Sequence, residues 1–204
     1  MKVAGLYAVT DAACCARDGL ARVRAALVGG ARVLQLRCKG SDLAIDDARA
    51  LVALGHAFGV PVLVNDDVEL ALAAGADGVH LGRDDATVES ARARLGPQAI
   101  IGASCYADLD RARDLARRGA DYLAFGSFYP SRTKPHAVRA HPSLLAAARP
   151  WGKPLVAIGG ILPENGRALI AAGASALAVV DGVFGHNDIE GAARAYQRLF
   201  EETV

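Results

Sequence analysis

The sequence predicts an α/β protein, a single (β/α)8 TIM barrel in which eight parallel strands close into a ring inside a layer of helices. A Gly-Ala pair recurs before apolar runs at Gly30, Gly75, Gly119 and Gly173, at intervals of 45, 44 and 54 residues. Each interval has room for two strands and two helices, and each glycine is typical of a left-handed helix end. The apolar runs are nearly continuous, as strands buried on both faces require.

Eight short apolar runs predict the strands, because about four to eight apolar residues between turn signals are typical of a buried strand. They cover residues 6–9, 33–36, 61–64, 78–81, 99–103, 122–125, 154–158 and 176–180. A doubly wound open sheet is the competing architecture, although no Gly-x-Gly-x-x-Gly fingerprint follows the first run. The repeat alone does not prove that the sheet closes.

Segments with wider apolar spacing alternate with these runs and predict helices. They cover residues 19–28, 43–58, 68–74, 87–95, 109–116, 143–148, 165–172 and 189–200. Strands that alternate with helices favour a parallel sheet, since parallel neighbours need a crossover between them.

Length and composition predict one catalytic domain over residues 1–204. The fold spans roughly 200 to over 400 residues, so a chain of 204 residues is near its short end. Hydrophobic residues make up 52% of the chain, and no Pro/Gly/Ser-rich linker divides it. We therefore expect a single core.

The charge balance argues against general binding to nucleic acid or to a membrane surface. Lysine and arginine total 23 against 22 acidic residues, which leaves a net charge of +1 without a basic block. The expected ligand is a small molecule. The N-terminal segment lacks the order of a signal peptide, so a cytoplasmic protein is expected. Barrels often associate, so a homo-oligomer is possible from the sequence.

Cysteine spacing predicts reduced thiols. Cys14 and Cys15 are adjacent, and Cys38 and Cys105 complete a set without paired CxxC spacing. A zinc site and a disulfide framework are therefore not expected. Cys38 lies between two basic residues that would lower its pKa, but a structural thiol is favoured over a nucleophile.

Cationic side chains follow the second strand. Arg37 and Lys39 are two positions apart, so an extended chain projects them to one side, with Gln35 beneath them. An arginine can bind two oxygens at once and a lysine adds a mobile positive charge, and this combination suits a diphosphate. A solvated strand end is the alternative interpretation.

Carboxylates follow the third and fourth strands. Asp66 and Asp85 are predicted to hold Mg²⁺, which takes one or two carboxylates and completes its shell with water and phosphate oxygens. Turn or helix-cap roles are the alternative, and they are the interpretation for Asp67 and Asp84. His80, within its strand, is interpreted as a hydrogen-bonded wall residue.

Two later regions are candidate phosphate sites. The connection 126–141 lacks a helical pattern and carries Ser131, Thr133 and Lys134, as a loop that covers substrate would, although a surface connection explains it equally. Gly160 after the seventh strand and Val180-Asp181 after the eighth lie where barrels bind phosphate through backbone N–H groups. The carboxylate of Asp181 is unfavourable there unless it turns away.

Several short motifs in one order resemble the thiamine-phosphate synthase family over nearly the whole chain. They are LYAVTD, QLRCK, VNDD, GVHLGRDD, IGASCY, the Ser-x-Thr-Lys segment 131–134 and AIGGI. The family is a transferase of thiamine biosynthesis that joins a pyrimidine diphosphate, 4-amino-2-methyl-5-(diphosphomethyl)pyrimidine, to a thiazole phosphate or its carboxylated precursor, with Mg²⁺ as cofactor.

The resemblance implies a role for each matching position. The residues implied for the pyrimidine diphosphate are Gln35, Arg37, Lys39, Asn65, Ser104 and Lys134, of which Arg37, Lys39 and Lys134 would be catalytic. Asp66 and Asp85 would hold the metal. The residues implied for the thiazole phosphate are Ser131, Thr133, Gly160, Val180 and Asp181. The sequence departs from the family at Cys38, Arg83, Ser131 and Asp181.

Two other functions remain open at this point. A related barrel tautomerises a thiazole carboxylate phosphate and has a histidine after the glycine that ends strand six, where this chain has Ser127. A non-catalytic sensor of thiamine phosphate intermediates is the third possibility. The complete set of cationic and acidic positions favours the synthase.

Overall fold

The computed structural model describes residues 3–15, 19–38, 43–131 and 138–201. Its sheet is a closed parallel barrel in which each strand pairs with the next and β8 pairs with β1. The strands are β1 Gly5–Val9, β2 Val33–Leu36, β3 Val62–Asn65, β4 Gly78–Leu81, β5 Ile100–Tyr106, β6 Tyr122–Gly126, β7 Leu155–Ile158 and β8 Ala176–Val179. The predicted barrel is confirmed, and the open sheet is wrong.

The helices follow the strands in the predicted order. They are α1 Gly19–Val28, α2 Ile45–Ala57, α3 Val68–Ala74, α4 Val88–Leu95, α5 Leu109–Arg117, α6 Ser143–Ala148, α7 Pro163–Ala171, α8 Asp181–Phe184 and α9 Ile189–Glu201. Helix α8 was not predicted from the sequence, because four residues are too few for a helical period. In the described part of the chain, no helix combines the length and apolar character needed to cross a membrane.

Alternate strand residues enter two separate apolar clusters. In β1, Leu6 and Ala8 pack with helix residues, whereas Tyr7 and Val9 join a cluster inside the barrel. The barrel strands are therefore buried on both faces, which is why their sequences are apolar without alternation. The inner position of Tyr7 places its hydroxyl among side chains from the other strands.

The repeated glycines adopt the backbone that the sequence predicted. Gly30, Gly75, Gly119 and Gly173 have φ values of 99°, 71°, 94° and 116°. A side chain disfavours this region, so glycine lets each helix end turn into the next strand. The Gly-Ala repeat thus marks the turns at the amino end of the barrel.

The aspartate that follows two of the Gly-Ala pairs forms hydrogen bonds with the backbone near the start of the preceding strand. Asp121 donates its N–H to the Ile101 carbonyl at 2.7 Å, and its carboxylate accepts the Ile101 N–H at 2.7 Å. Asp77 makes the same two bonds with Val62, at 2.8 and 2.7 Å. These paired bonds, called here the strand brackets, satisfy backbone groups where neighbouring strands begin.

Candidate active site

The described candidate residues gather at the carboxyl end of the barrel. This is the end at which barrel enzymes carry out their chemistry, because the loops after all eight strands meet there. Gln35, Asn65 and Ser104 lie within strands, and Arg37, Asp66, Asp85, Ser131, Gly160, Val180 and Asp181 lie just after strand ends. Lys39, Thr133 and Lys134 lie outside the described residues.

Arg37 is a half-buried cation whose backbone is held in place. Its N–H donates to the Thr10 hydroxyl oxygen at 2.7 Å, and that hydroxyl lies 3.3 Å from the Arg37 carbonyl. Burial lowers the pKa of Arg37, and the negative charge of Asp66 opposes that shift. The guanidinium and the Asp66 carboxylate are therefore close enough to interact, which joins the predicted cation site to the predicted metal site.

Asp66 has a backbone conformation that is uncommon outside glycine. Its φ is +65°, in the left-handed region, and its N–H donates to the His80 carbonyl at 2.9 Å. Such a conformation costs of order 1–3 kcal/mol and is common at functional sites. The next residue, Asp67, caps α3 by accepting the Leu70 N–H at 2.8 Å, as predicted. The turn thus separates a structural from a candidate functional carboxylate.

Asp85 is held by its own loop. One carboxylate oxygen accepts the Gly82 N–H at 2.6 Å, and a Cβ built on Gly82 would lie 2.8 Å from that oxygen. Glycine therefore permits this close approach. Asp84 is exposed, and α4 is capped by Thr87, whose hydroxyl accepts the Ser90 N–H at 3.1 Å. Asp84 therefore does not cap α4.

The donor set suits magnesium better than a closed metal site. The described ranges contain no group of three or more His, Cys, Asp or Glu side chains arranged to hold a metal. A structural zinc or calcium site needs more protein ligands, whereas Mg²⁺ takes one or two carboxylates and keeps sites for water and phosphate. Asp66 and Asp85 fit the second pattern.

A chain of side-chain hydrogen bonds crosses the inside of the barrel. Gln35 Nε2 donates to the Tyr7 hydroxyl at 2.8 Å, and the two tyrosine hydroxyls of Tyr7 and Tyr122 lie 2.7 Å apart. His80 Nδ1 lies 2.8 Å from the Tyr122 hydroxyl, and His80 Nε2 lies 2.9 Å from the Ser104 hydroxyl. We call these five residues the relay. His80 is the hydrogen-bonded wall residue that the sequence predicted.

Burial raises the pKa of both phenols well above the ordinary value, so Tyr7 and Tyr122 stay protonated at neutral pH. Neither was a candidate from the sequence. The signal available was their position within apolar strands, where a tyrosine that faces the barrel interior needs a polar partner.

The loop after β6 packs closely on the turn after β7. The Tyr129 N–H donates to the Gly159 carbonyl at 2.9 Å, and a Cβ on Gly160 would lie 2.1 Å from the Pro130 carbonyl oxygen. The absence of a side chain at Gly160 therefore allows the segment that contains Ser131 to pack against the end of β7. These two candidate positions for the thiazole phosphate are adjacent.

The end of β8 continues directly into α8. Asp181 is exposed, and its carbonyl accepts the Gly185 N–H at 2.9 Å. A Cβ on Gly182 would lie 2.1 Å from the Tyr196 hydroxyl, which donates to the Ile161 carbonyl at 2.9 Å. Gly182 thus allows α8 to pack against α9 beside the Val180-Asp181 pair.

The prediction that all thiols are reduced is wrong in the structure. Cys15 and Cys38 form a disulfide with their Cα atoms 6.0 Å apart. The spacing did not reveal this pair, because the two cysteines follow neighbouring parallel strands and meet only when those strands pair. Cys14 and Cys105 are buried free thiols, and burial raises the pKa of each to about 12.

Arg83, one of the departures noted above, stacks on an aromatic ring. Its guanidinium carbon lies 5.0 Å from the Tyr106 ring centroid, and that of Arg111 lies 5.7 Å from the same centroid. Arg111 also donates to the Ser104 carbonyl at 2.8 Å. Arg83 is therefore placed beside the end of β5 by a cation–π contact.

Comparison with known proteins gives the same assignment as the motifs. Residues 6–183 match the family model described as thiamine monophosphate synthase. The chain is 53% identical over 199 residues to the thiamine-phosphate synthase of Thiobacillus denitrificans, covering 96% of this chain and 94% of that protein. It is 50% identical over 201 residues to the thiamine-phosphate synthase of Marinobacter nauticus, covering 96% and 90%.

A solved structure extends the agreement to three dimensions. The thiamine phosphate pyrophosphorylase of Pyrococcus furiosus superposes with a TM-score of 0.86 at 33% identity, covering 98% of this chain and 96% of that one. Sequence identity, coverage and fold all agree. The chain belongs to the thiamine monophosphate synthase family of enzymes.

Proposed function

We propose that this chain joins 4-amino-2-methyl-5-(diphosphomethyl)pyrimidine to 4-methyl-5-(2-phosphoethyl)thiazole, or to its carboxylated precursor, and releases thiamine phosphate and diphosphate. Family membership supports the reaction. The observation that carries the proposal is the position of half-buried Arg37 just after β2 and of Asp66 just after the neighbouring β3, at the carboxyl end of the barrel, where their opposite charges interact. A cation beside a metal-binding carboxylate suits a departing diphosphate.

The residue roles follow the motif positions. Those proposed for the pyrimidine diphosphate are Gln35, Arg37, Lys39, Asn65, Ser104 and Lys134. Asp66 and Asp85 are proposed to hold Mg²⁺, which when bound would neutralise negative charge on the diphosphate oxygens. Those proposed for the thiazole phosphate are Ser131, Thr133, Gly160, Val180 and Asp181. The contact between the segment before Ser131 and Gly160 supports grouping these last positions.

The reaction needs stabilisation of charge more than it needs proton transfer. The bond between the exocyclic methylene carbon and the diphosphate oxygen breaks, and its electron pair leaves with diphosphate. The cation that remains on the pyrimidine is captured by the lone pair of the thiazole nitrogen. Arg37, Lys39 and Lys134 would stabilise the leaving group, so the chain's main contributions are positioning and electrostatic stabilisation.

The tautomerase alternative would need an acid or base at the end of β6. Ser127 occupies that position, and its hydroxyl donates to the Tyr129 carbonyl at 2.9 Å. This hydroxyl already shapes the loop, and a serine is a poor general acid or base at neutral pH. Both observations favour the synthase.

The direct test is an assay of the purified protein with both precursors, with and without Mg²⁺, that follows the coupled product by mass. Magnesium-dependent formation of thiamine phosphate and diphosphate supports the proposal. Isomerisation of the thiazole carboxylate phosphate alone would identify a tautomerase. Tight calorimetric binding of the precursors without turnover under saturating Mg²⁺ would identify a sensor.

The remaining parts of the proposal concern the whole protein. We place the activity in one catalytic domain over residues 1–204, acting on small molecules in the cytoplasm. Light scattering of the purified protein decides between a monomer and a homo-oligomer.

A further inference from the structure

The relay connects two residues proposed to bind the pyrimidine diphosphate, Gln35 and Ser104, through groups that the proposed reaction does not otherwise use. Tyr7 and Tyr122 are buried, and His80 lies between Tyr122 and Ser104. All contacts are between 2.7 and 2.9 Å, which is the range of good hydrogen bonds. Such a chain has a direction, because each hydroxyl donates one proton.

The direction follows from the Gln35 amide. Its Nε2 group is a donor only, so the Tyr7 oxygen accepts and the Tyr7 proton goes to Tyr122. The Tyr122 proton then goes to His80 Nδ1. With Nδ1 as an acceptor, a neutral imidazole carries its proton on Nε2 and donates to Ser104.

The opposite direction is unfavourable inside the barrel. It would place two donors, Gln35 and Tyr122, on the Tyr7 oxygen, and the Tyr7 proton would have no acceptor among the described residues. Tyr7 is only 1% exposed, so bulk solvent does not reach its hydroxyl to supply that acceptor. A buried polar group without a partner is costly, and the whole chain therefore orders in one direction.

The packing around Tyr122 supports a dedicated arrangement. A Cβ on Gly102 would lie 1.8 Å from the Tyr122 ring carbon that bears the hydroxyl. Only glycine at this strand position leaves room for the phenol between Tyr7 and His80. The ring of His80 also stacks on that of Tyr122, with centroids 5.6 Å apart and an interplanar angle of 21°.

We propose that Tyr7, Tyr122 and His80 are positioning residues that hold the Ser104 hydroxyl as a hydrogen-bond donor toward the carboxyl end of the barrel. Since Ser104 accepts from His80 Nε2, its own proton is directed away from the relay. The natural receiver is an anionic oxygen of the bound substrate. This last step rests on the proposed function, whereas the direction of the relay does not.

The first experiment reads the tautomer of His80. Long-range ¹H–¹⁵N NMR of the ¹⁵N-labelled protein distinguishes protonated from unprotonated ring nitrogens, and the His80→Gln variant assigns the signals. We expect the proton on Nε2 in the wild type and a mixture of tautomers in Gln35→Met, which lacks the donor. The matched control is Leu63→Met, an inward change on the neighbouring strand that should keep the Nε2 proton. A wild-type proton on Nδ1 would overturn the proposal.

The second experiment measures whether the relay acts through Ser104. We expect Tyr122→Phe and Ser104→Ala each to lower kcat at least about fivefold, and the double variant to lie within about twofold of Ser104→Ala. Losses that multiply in the double variant would mean that Tyr122 acts independently and would overturn the proposal. A merely structural role would not produce this non-additivity.

The two proposals fail in different ways. If the wild-type protein forms no thiamine phosphate, the proposed function is wrong, and the NMR experiment still decides the direction of the relay. If Tyr122→Phe does not fold, the wild-type and Gln35→Met spectra provide the decision. If the enzyme is active but His80 carries its proton on Nδ1, the proposed synthase function stands and the proposed direction of the relay is wrong.

Discussion

The two ends of the barrel use carboxylates in opposite ways. At the amino end, Asp121 accepts the Ile101 N–H and pairs with Arg92 at 2.6 Å, so its carboxylate is bound by groups of the protein itself. At the carboxyl end, Asp66 occupies a left-handed backbone conformation beside half-buried Arg37. The first arrangement stabilises the strand start, and the second holds charge that suits a ligand. Stability and chemistry are thus separated along one axis.

The strand brackets also differ among themselves. Ser175 donates its N–H to the Leu155 carbonyl at 2.7 Å and accepts the Leu155 N–H at 3.3 Å, as a weaker version of the aspartate brackets. In the first repeat, the corresponding residue is Arg32, whose side chain has no hydrogen-bond acceptor. The Leu6 N–H donates instead to the side chain of Gln197 in α9 at 3.4 Å. The amino end therefore tolerates different residues as long as the backbone group finds an acceptor.

The largest expected effect tests whether the carboxyl end also contributes to stability. Reduction of Cys15–Cys38 opens a link with a sequence separation of 23 residues, and the chain-entropy model gives a loss of about 3 kcal/mol in the free energy of unfolding. Urea unfolding with and without reductant measures it. Alkylation and mass measurement should find two free thiols before reduction and four after it. Four free thiols in protein prepared without reductant would contradict the pairing.

The next effect isolates chemistry at the carboxyl end. We expect Arg37→Met to lower turnover about a hundredfold, or about 2.7 kcal/mol of activation free energy, because a half-buried cation that stabilises the leaving group is lost. The unfolding midpoint should not fall, since burial disfavours the Arg37 charge. Steady-state kinetics and thermal unfolding measure the two quantities. Arg24→Met, an exposed arginine change, is the control and should keep full turnover. Equal losses in both variants would remove Arg37 from the mechanism.

A substitution at the amino end is expected to lower stability without lowering activity. We expect Asp121→Ala to lower the free energy of unfolding by about 2 kcal/mol, because the Ile101 N–H and Arg92 lose their acceptor. Turnover of the folded enzyme should stay within about twofold. Chemical denaturation and kinetics at low temperature measure these effects. The control Asp110→Ala removes an exposed carboxylate from α5 and should change neither quantity. A selective loss of activity in Asp121→Ala would contradict the separation of the two ends.

The smallest expected effect concerns a catalytic residue proposed from the motif alone. Lys134→Ala should lower turnover at least about tenfold, or about 1.4 kcal/mol, since a charge that stabilises diphosphate is lost. Initial-rate kinetics at saturating substrates and Mg²⁺ measure it. Lys153→Ala is the control and should retain wild-type turnover, because Lys153 precedes β7 at the amino end. Full activity of the Lys134 variant would exclude Lys134 from the mechanism.

Much of the fold was predictable because its signals are local. The segment 19–28 was predicted and observed as a helix with the same bounds, and the glycine at 75 has the left-handed backbone expected of it. The carboxyl-end position of Arg37, Asp66 and Asp85 follows from strand order alone, since parallel strands all end on one side. Their roles in binding remain predictions.

The rest of the candidate site depends on contacts that no local pattern encodes. Cys15 and Cys38 meet because β1 and β2 pair, and α8 is too short to produce a period. The strand brackets do have a local signal in the sequence, namely a side-chain hydrogen-bond acceptor directly after the Gly-Ala pair, at Asp77, Asp121 and Ser175.

By itself, the sequence determined the order of strands and helices, the glycine helix ends and the end of the barrel that carries the charged groups, because each depends on neighbouring residues or on strand direction. Only the tertiary structure decided that Tyr7 and Tyr122, 115 residues apart, share a hydrogen bond and so connect Gln35 to Ser104. The physical reason is closure: strands distant in sequence face one another across the interior only after β8 pairs with β1.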